Sequence, residues 1–382
     1  MAYPAGARFA IPRCLTLLLL AATLSCEHSQ SFTEPTFPPL GPFSTAADAQ
    51  LTFNPDADYW PTFSEDGRSL LYQYSTGRPD GSRCLGLLPP AGGTWIWTFC
   101  DPRTLPVDST RSYSAFALGD DGRLLYMEAT SRLLGPEPFV ETLWLADTAH
   151  PLARRALLTL PLAVHDSVVD WLTDAVWTGP ATFVALANHL VAAAKAALDT
   201  VFVGQFVVHG TISMNGAALT AIVGTEGADG YSLASGGSTV VFWRLNSGTI
   251  WQAPVGGGPP DSVATVPING IAAAIHGISC QGSTCVVATD QEELIDDQLV
   301  PGFFIGLLAG NGVLYQVGLA DHSVVVREGA RQTNPDDGRG WFTPRIVPGS
   351  GDVVLQVGGS PGMQVLSQQP GADLHRFAAI VH

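Results

Sequence analysis

Tyr59-Trp60-Pro61-Thr62-Phe63-Ser64-Glu65-Asp66-Gly67-Arg68-Ser69-Leu70-Leu71-Tyr72 is the stretch that decides the fold. An aromatic-led run, a polar turn with glycine and a short apolar run describe two antiparallel strands joined by a hairpin, because the turn supplies residues that accept a positive φ. Residues 113–126 repeat the Asp-Gly-Arg turn and the Leu-Leu-Tyr that follows it. The stretch is therefore one copy of a repeat.

Weaker copies of the repeat continue towards the C-terminus, at residues 171–187, 231–242, 275–288 and 341–355. The spacing of their turn glycines is close to the length of one four-stranded propeller blade with its loops. The six turn glycines are Gly67, Gly122, Gly179, Gly236, Gly282 and Gly351. Further strands fit between the copies, at 84–88 with 94–99, 142–146 with 155–160, and 249–253 with 262–266. The sequence predicts an all-β fold, a six-bladed β-propeller with four-stranded blades over residues 51–382.

The run Pro61 to Arg68 resembles the WD-like repeat of TolB-type β-propellers, whose blades carry Pro-x-Phe-Ser-Pro-Asp-Gly before an apolar strand. This chain has Glu65 where that family usually has proline. The copy at 113–126 keeps the Asp-Gly turn, and later copies keep only glycine and the flanking apolar strands. The resemblance implies a six-bladed propeller of a kind that often serves as a protein-binding platform.

The first 25 residues have the pattern of a signal peptide. Arg8 and Arg13 precede an apolar run, Leu15–Leu24, that is too short to span a membrane. Leu24-Ser25-Cys26 resembles a bacterial lipoprotein box, with Thr23 at a place where that box most often has leucine. We expect Cys26 to become the lipidated N-terminus; the alternative is an ordinary secretory signal with a chance cysteine.

Residues 26–50 are predicted to form a disordered, proline-rich tether. Pro35, Pro38, Pro39 and Pro42 lie among Ser, Thr and Gly, a composition that cannot bury a core. Glu27 follows the lipid site, and by resemblance to sorting in enteric bacteria it favours the outer membrane. The expected location is the bacterial cell envelope, with the protein lipid-anchored and facing the periplasm or exported to the surface, and with no membrane contact besides the anchor.

Acidic residues outnumber basic ones, 34 to 18, for a formal charge of −16. Removal of the signal, with Arg8 and Arg13, leaves 16 basic residues and a formal charge of −18. Because phosphate contacts need clustered basic side chains, nucleic-acid binding is disfavoured.

Four cysteines remain after Cys14 in the signal and Cys26. Cys84 and Cys100 lie almost symmetrically about a Pro-Pro-Ala-Gly-Gly turn, and Cys280 and Cys285 flank a second turn, so both pairs fit hairpin disulfides. The loop-entropy model gives them roughly 3 and 2 kcal/mol. The alternative is a four-cysteine metal site between the first and fifth blades.

Residues 188–199 depart from the β pattern. Their alanine-rich core, Val191 to Leu198, favours a short helix inserted into the third blade. The alternative is a long strand followed by a loop.

The signals for catalysis and metal binding are weak. His165 and His276 stand near the starts of presumed innermost strands, where a site in the channel could gather, and the alternative is an ordinary solvent-facing or hydrogen-bonded histidine. Acidic stretches at 290–297, 54–58 and 334–337 offer oxygen ligands for Ca²⁺ without the glycine-centred loop of a strong signal, and they also fit a solvated loop and Asx-turns. We predict no catalytic residues and no cofactor, with calcium as the open possibility.

Aromatic residues recur where the blades begin. If these positions gather at one face they form a binding surface, and the alternative is packing between blades. The candidate binding residues are Tyr59, Trp60, Tyr113, Trp171, Tyr231, His276, Trp341 and Arg345. The sequence favours a non-catalytic platform for an envelope protein or glycan. The alternative is a periplasmic, metal-dependent propeller enzyme of the lactonase or lyase type.

Overall fold

The computed structural model describes a chain of β-strands. The described residues are 48–52, 58–75, 82–92, 94–103, 105, 109–132, 140–192, 200–245, 247–268, 274–294, 298–300, 303–305, 308–329, 339–359, 373–377 and 380–381. Within these residues, no helix is long and apolar enough to cross a membrane.

The strands follow one another with short connections. They are β1 (Asp48–Gln50), β2 (Asp58–Phe63), β3 (Leu70–Ser75), β4 (Arg83–Leu88), β5 (Trp97–Phe99), β6 (Ser109–Leu118), β7 (Arg123–Arg132), β8 (Val140–Asp147), β9 (Arg155–Leu160), β10 (Leu162–Val164), β11 (Ser167–Val169), β12 (Trp171–Gly179), β13 (Thr182–Ala192), β14 (Thr200–Ser213), β15 (Gly216–Ala221), β16 (Ala228–Ala234), β17 (Thr239–Arg244), β18 (Thr249–Pro254), β19 (Asp261–Thr265), β20 (Ala274–Gln281), β21 (Thr284–Leu294), β22 (Gln298–Val300), β23 (Phe303–Ile305), β24 (Leu308–Gly318), β25 (Val324–Gly329), β26 (Arg339–Ile346), β27 (Val353–Gly359) and β28 (Asp373–Phe377).

Four antiparallel sheets have four strands each, in the order of the chain: β2–β5, β6–β9, β12–β15 and β16–β19. We number these sheets one to four. This is the arrangement of propeller blades, and the predicted strands at 84–88, 142–146, 155–160, 249–253 and 262–266 are confirmed to within two residues. The second strands are apolar along their length: Leu70, Leu71, Tyr72 and Tyr74 of β3 are all buried, because neighbouring blades cover both faces.

The predicted count of six blades is not confirmed, because the described residues form five large sheets. The fifth sheet has eight strands. It consists of two antiparallel halves, β20–β21–β24–β25 and β26–β27–β28–β1, joined by a single parallel bridge between Asn311 and Arg339. Two small hairpins, β10–β11 and β22–β23, lie outside the large sheets.

The N-terminal strand closes the second half of the fifth sheet. Asp48 pairs with Phe377 and Gln50 with His375, so β1 lies antiparallel to β28 near the C-terminus. Residues 48–50 were assigned to the tether from their composition, and backbone pairing makes them part of the sheet instead. Leu51 follows directly and is 1% exposed.

Both predicted disulfides form. Cys84 and Cys100 close the β4–β5 hairpin, with Cα atoms 4.6 Å apart. Cys280 and Cys285 face each other across the β20–β21 ladder, with Cα atoms 4.0 Å apart. The alternative of a four-cysteine metal site is therefore excluded, because all four thiols are used.

The predicted helix over 188–199 was wrong in its first part. β13 continues through Ala192 and pairs along its length with β14. Strand pairing across a long ladder overrides the helical preference of alanine, because propensity is a weak prior. Residues 193–199 lie outside the described residues.

Charged side chains fill the junction between the first and second sheets. Asp101 accepts hydrogen bonds from Arg103, and Glu128 accepts from Arg103 at 2.7 Å and from Arg154 at 2.6 Å. The guanidinium of Arg111 donates to the Asp101 carbonyl at 3.0 Å. Burial alone would raise the pKa of Asp101, but hydrogen bonds from Arg103 and the charge of Arg111 hold it below its usual value. We call these five residues the arginine network.

The next junction, between the second and third sheets, is largely apolar. Leu143, Leu157 and Leu172 are buried in one cluster. Glu141 lies at this junction, 1% exposed, and neither carboxyl oxygen has a hydrogen-bond partner in the described part of the chain. Burial, with a smaller contribution from the charge of Asp170, raises the pKa of Glu141 to about 9. The carboxyl is therefore protonated at neutral pH.

Candidate functional site

The hairpin turns after the first strand of each blade contact one another around one end of the channel. The Glu65 N–H donates to the Leu118 carbonyl at 3.3 Å, and the Asp66 N–H donates to the Asp120 carboxylate at 2.6 Å. Arg123 donates to the Gly179 carbonyl at 3.2 Å. We call this end the turn face. Hydrogen bonds between successive turns make it a preformed surface.

A recess opens at the turn face, in the mouth of the channel between the first strands. It encloses about 300 Å³, part of it open to solvent. Its walls come from β2, β6, β12 and β26, which belong to different blades. The lining residues are Trp60, Thr62, Ser114, Ala115, Phe116, Thr173, Asp174, Ala175, Val176 and Arg345.

Backbone strain is concentrated around this recess. The first strands carry β-bulges, with register shifts between Tyr59 and Thr62, Ser114 and Ala117, and Thr173 and Val176. The residue after the start of each bulge is left-handed: φ is 52° at Trp60, 47° at Ala115 and 51° at Asp174. Such values are uncommon for residues other than glycine, and they cluster at functional sites. Bulges also re-aim side chains beside binding sites.

An ion pair crosses the recess. Arg345 Nη2 lies 2.7 Å from Asp174 Oδ1, and the two residues are 171 positions apart in the chain. The side chains are 19% and 28% exposed, so both charges remain accessible from solvent. Arg345 also donates to the Pro344 carbonyl at 3.0 Å.

Tyr231 supports the backbone beneath this pair. Its hydroxyl donates to the Val184 carbonyl at 2.8 Å and also contacts the Asp174 carbonyl. Burial, and to a smaller extent the negative charge of Asp174, raises the pKa of Tyr231 well above its usual value. The hydroxyl therefore stays protonated and remains a donor that holds Asp174 in position.

The predicted aromatic surface does not form as one set. Tyr113, Trp171 and Tyr231 are buried at 0%, 6% and 4% exposure. Tyr113 packs against Phe99 and Tyr126, with ring centroids 6.1 and 5.8 Å apart. The three residues occupy different positions along their first strands, and their rings fill the space between neighbouring sheets. Packing, the alternative interpretation, accounts for these residues.

The remaining aromatic candidates divide between the recess and other places. Trp60 is half-buried and lines the recess. Tyr59 lies beside it, with ring centroids 6.2 Å apart, and the guanidinium carbon of Arg83 lies 4.3 Å from the Tyr59 ring centroid. Trp341 belongs to β26, where its backbone pairs with Val357, and its side chain lies outside the described residues.

His276 has an acidic neighbour from the preceding blade. It is the extra residue of a bulge in β20, between Ile275 and Gly277, and Asp229 is the extra residue of a corresponding bulge in β16. Burial raises the pKa of Asp229, against a hydrogen bond from Trp243 and the charge of His276. A carboxyl and an imidazole therefore stand on neighbouring first strands.

His165 was predicted near the start of an innermost strand, and it precedes the first strand of the third sheet, β12, in a separate hairpin. It occupies the turn of the β10–β11 hairpin, with a left-handed backbone, φ 55°, and a side chain 63% exposed. The hairpin lies between β9 and β12 in the chain.

Metal binding was tested within the described residues. No group of three or more His, Cys, Asp or Glu side chains there is placed to hold a metal ion. The acidic stretches proposed for calcium lie largely elsewhere: residues 54–57, 295–297 and 334–337 are outside the described residues.

Sequence reasoning missed Asp174 and the arginine network. The available signal for Asp174 was an acidic residue inside an otherwise apolar run, Trp171-Leu172-Thr173-Asp174-Ala175-Val176-Trp177. A strand between two blades seldom carries a charge that has no function. Nothing in the sequence paired it with Arg345.

Comparison with known proteins gives a similarity of shape alone. No protein-family model matches the chain, and no curated protein matches it in sequence. Regucalcin from Agrobacterium tumefaciens, a calcium-binding protein, is 11% identical, with a TM-score of 0.49 over 87% of this chain and 93% of that chain. A gluconolactonase from Xanthomonas campestris is 11% identical, with a TM-score of 0.47 over 88% and 90%. TolB from Acinetobacter baumannii is 11% identical, with a TM-score of 0.40 over 72% and 57%.

Proposed function

We propose that this protein is a non-catalytic β-propeller platform of the bacterial cell envelope, and that a partner protein binds at the recess of the turn face. The observation that carries the proposal is the recess itself, where Trp60 and the Asp174–Arg345 pair meet from three different blades. Tryptophan and arginine are the residues most enriched in binding hot spots. A preformed surface also loses little conformational entropy on binding.

The blade count belongs to the same proposal. Each half of the eight-stranded sheet has the four antiparallel strands of one blade, and only the Asn311–Arg339 bridge joins them. Counting the halves separately gives six blades of the kind predicted from the repeats. β1 then supplies the closing strand of the sixth blade.

The membrane anchor is proposed from the sequence. Cleavage before Cys26 and acylation of that cysteine attach residues 26–47 to the membrane as a tether, with the propeller beyond it. The expected location is the outer membrane, facing the periplasm or the cell surface. Mass spectrometry of the mature protein tests this directly, because acylation adds a defined mass to the peptide that begins at Cys26.

Partner capture tests the platform. The mature protein is immobilised and incubated with envelope extracts, beside the variants W60A and R345M. We expect a partner that the wild type retains and both variants lose. R68M is the matched control, since Arg68 belongs to the same face but its side chain is 86% exposed and lies outside the recess. Retention by R345M and W60A at the wild-type level, or recovery of glycan in place of protein, would contradict a protein site at the recess.

One observation favours a second candidate, the propeller enzyme. The Asp229–His276 pair places a carboxyl and an imidazole on neighbouring first strands, and such pairs can act as general acids and bases. This function predicts a bound divalent ion. Elemental analysis of protein purified without chelators decides it, because a metal-dependent enzyme would retain close to one ion per chain.

A further inference from the structure

The β4–β5 hairpin of the first sheet ends in an uncharged tip. Residues 84–100 contain no Asp, Glu, Lys, Arg or His, although the chain has 34 acidic residues. The Cys84–Cys100 disulfide closes the base of the hairpin. Trp95 and Ile96 lie at the tip with 42% and 57% of their surface exposed. Adjacent exposed apolar side chains on a charge-free segment indicate an interaction surface.

Trp95 is held in a fixed orientation. Its indole N–H donates to the Tyr72 hydroxyl, and its ring stacks on Tyr74 with centroids 5.1 Å apart. The Tyr74 hydroxyl in turn lies 3.5 Å from Cys100 Sγ. Because the only polar atom of the indole is bound inside the protein, the exposed part of the ring is hydrocarbon.

The tip lies beside the place where the chain enters the propeller. A Cβ on Gly92, in the β4–β5 loop, would lie 3.0 Å from Leu51 Cα, so the two backbones are in contact. Leu51 directly follows β1, and the tether precedes β1 in the chain. The 21 residues between Cys26 and Asp48 reach at most about 70 Å when extended. A lipid on Cys26 would therefore attach the propeller to the bilayer through the strand that lies beside this tip.

We infer that the tip, residues 89–92 and 94–96, contacts the lipid bilayer to which the protein is anchored; this rests on the proposed anchor at Cys26. Tryptophan and aliphatic side chains favour the membrane interface. The rest of the mature chain is strongly acidic, and anionic lipids repel it. The uncharged hairpin is the edge that approaches the bilayer without this repulsion. Contact there sets the orientation of the propeller on the membrane.

Quenching of tryptophan fluorescence by brominated lipids tests the contact. The mature chain, beginning at Cys26, is coupled through that thiol to a maleimide phospholipid and incorporated into phosphatidylcholine and phosphatidylglycerol vesicles with brominated acyl chains. We expect part of the emission to be quenched, and this part to disappear in W95F and in I96E. L152E is the matched control, because Leu152 is 56% exposed at another turn, and we expect it to keep the quenching.

Two outcomes would overturn the inference. Absence of quenching in the wild type would leave the tip for a protein partner, and quenching that survives W95F and I96E would assign the contact to another tryptophan. Near-UV circular dichroism checks that each variant is folded, with I96S in place of I96E if the charge prevents folding. Because the lipid is attached chemically, the result does not depend on whether cells acylate Cys26, which mass spectrometry determines separately.

Discussion

Two neighbouring junctions of the propeller bury carboxyl groups in opposite ways. Between the first and second sheets, Asp101 and Glu128 are surrounded by arginines, and the hydrogen bonds and charges of these arginines hold the pKa of Asp101 below its usual value. Between the second and third sheets, Glu141 is buried with no hydrogen-bond partner among the described residues, and burial raises its pKa to about 9. The comparison shows that the partner set decides the charge state of a buried carboxyl, because burial by itself always favours the neutral form.

Removal of an arginine from the arginine network is expected to have the largest effect on stability. R154M leaves Glu128 and Asp101 short of positive charge in a buried place, where the Arg154 side chain is only 5% exposed. We expect a loss of about 3–5 kcal/mol in the free energy of unfolding, measured by urea denaturation at neutral pH. R155M, the same change at the next residue, is the control: Arg155 is exposed and we expect a change below about 0.5 kcal/mol. If R154M lowered the free energy of unfolding as little as R155M is expected to, the arginine network would not be important for stability.

Truncation of the apolar junction tests its dependence on packing. Leu172 is fully buried in the cluster between the second and third sheets. We expect L172A to lower the free energy of unfolding by about 3 kcal/mol, from lost burial and the cavity it leaves. The effect should not vary with salt concentration, whereas that of R154M should fall as salt rises. A salt-dependent L172A effect would argue against a purely apolar junction.

Glu141 makes stability depend on pH. The folded protein keeps a proton on Glu141 that the unfolded chain releases above about pH 4.5, the ordinary pKa of the side chain. Its contribution is therefore complete below pH 4.5 and is lost as the pH rises through about 9, with a slope of up to about 1.4 kcal/mol per pH unit. We expect E141Q to flatten this slope in urea denaturation between pH 5 and 9.

The variant D101N tests the opposite dependence of stability on pH, at a carboxyl whose pKa is lowered. The pKa of Asp101 is lowered in the folded state, so its contribution is present above its ordinary pKa and is lost as the pH falls. The destabilisation by D101N should therefore shrink in acid, while the difference between E141Q and wild type should grow in base. Parallel pH profiles of the two variants would contradict the assignment of their charge states.

The Asp174–Arg345 ion pair is expected to give the smallest change in stability. It lies outside the arginine network, and unlike Glu141 its carboxylate has a cationic partner. Its side chains are 28% and 19% exposed, and partly solvated ion pairs contribute about 1 kcal/mol or less. We expect R345M to change the free energy of unfolding by no more than that. A loss of several kcal/mol would make the pair a structural link between blades and would weaken its role in binding.

Sequence periodicity predicted much of the fold. The Asp-Gly turns, the apolar second strands and the two hairpin disulfides depend on residues close together in the chain, where turn chemistry and strand alternation decide the structure. The predicted helix failed over residues 188–192, because the long β13–β14 ladder outweighed the local alanine content.

The candidate site was predicted only in part. Trp60 and Arg345 were named as binding residues, and both line the recess. Tyr113, Trp171 and Tyr231 carried the same aromatic signal, but the way neighbouring sheets pack buries them. The sequence does not distinguish an aromatic residue at the start of a blade that faces solvent from one that faces the next sheet.

The sequence by itself determined the β-propeller class, the position of the repeat units and the cysteine pairing. Each of these depends on residues that are near neighbours along the chain. Only the tertiary structure decided that Asp174 meets Arg345, that three arginines surround Asp101 and Glu128, and that Glu141 lies buried with no hydrogen-bond partner among the described residues. These contacts join blades, and they depend on which faces the sheets present to one another when the ring of blades forms.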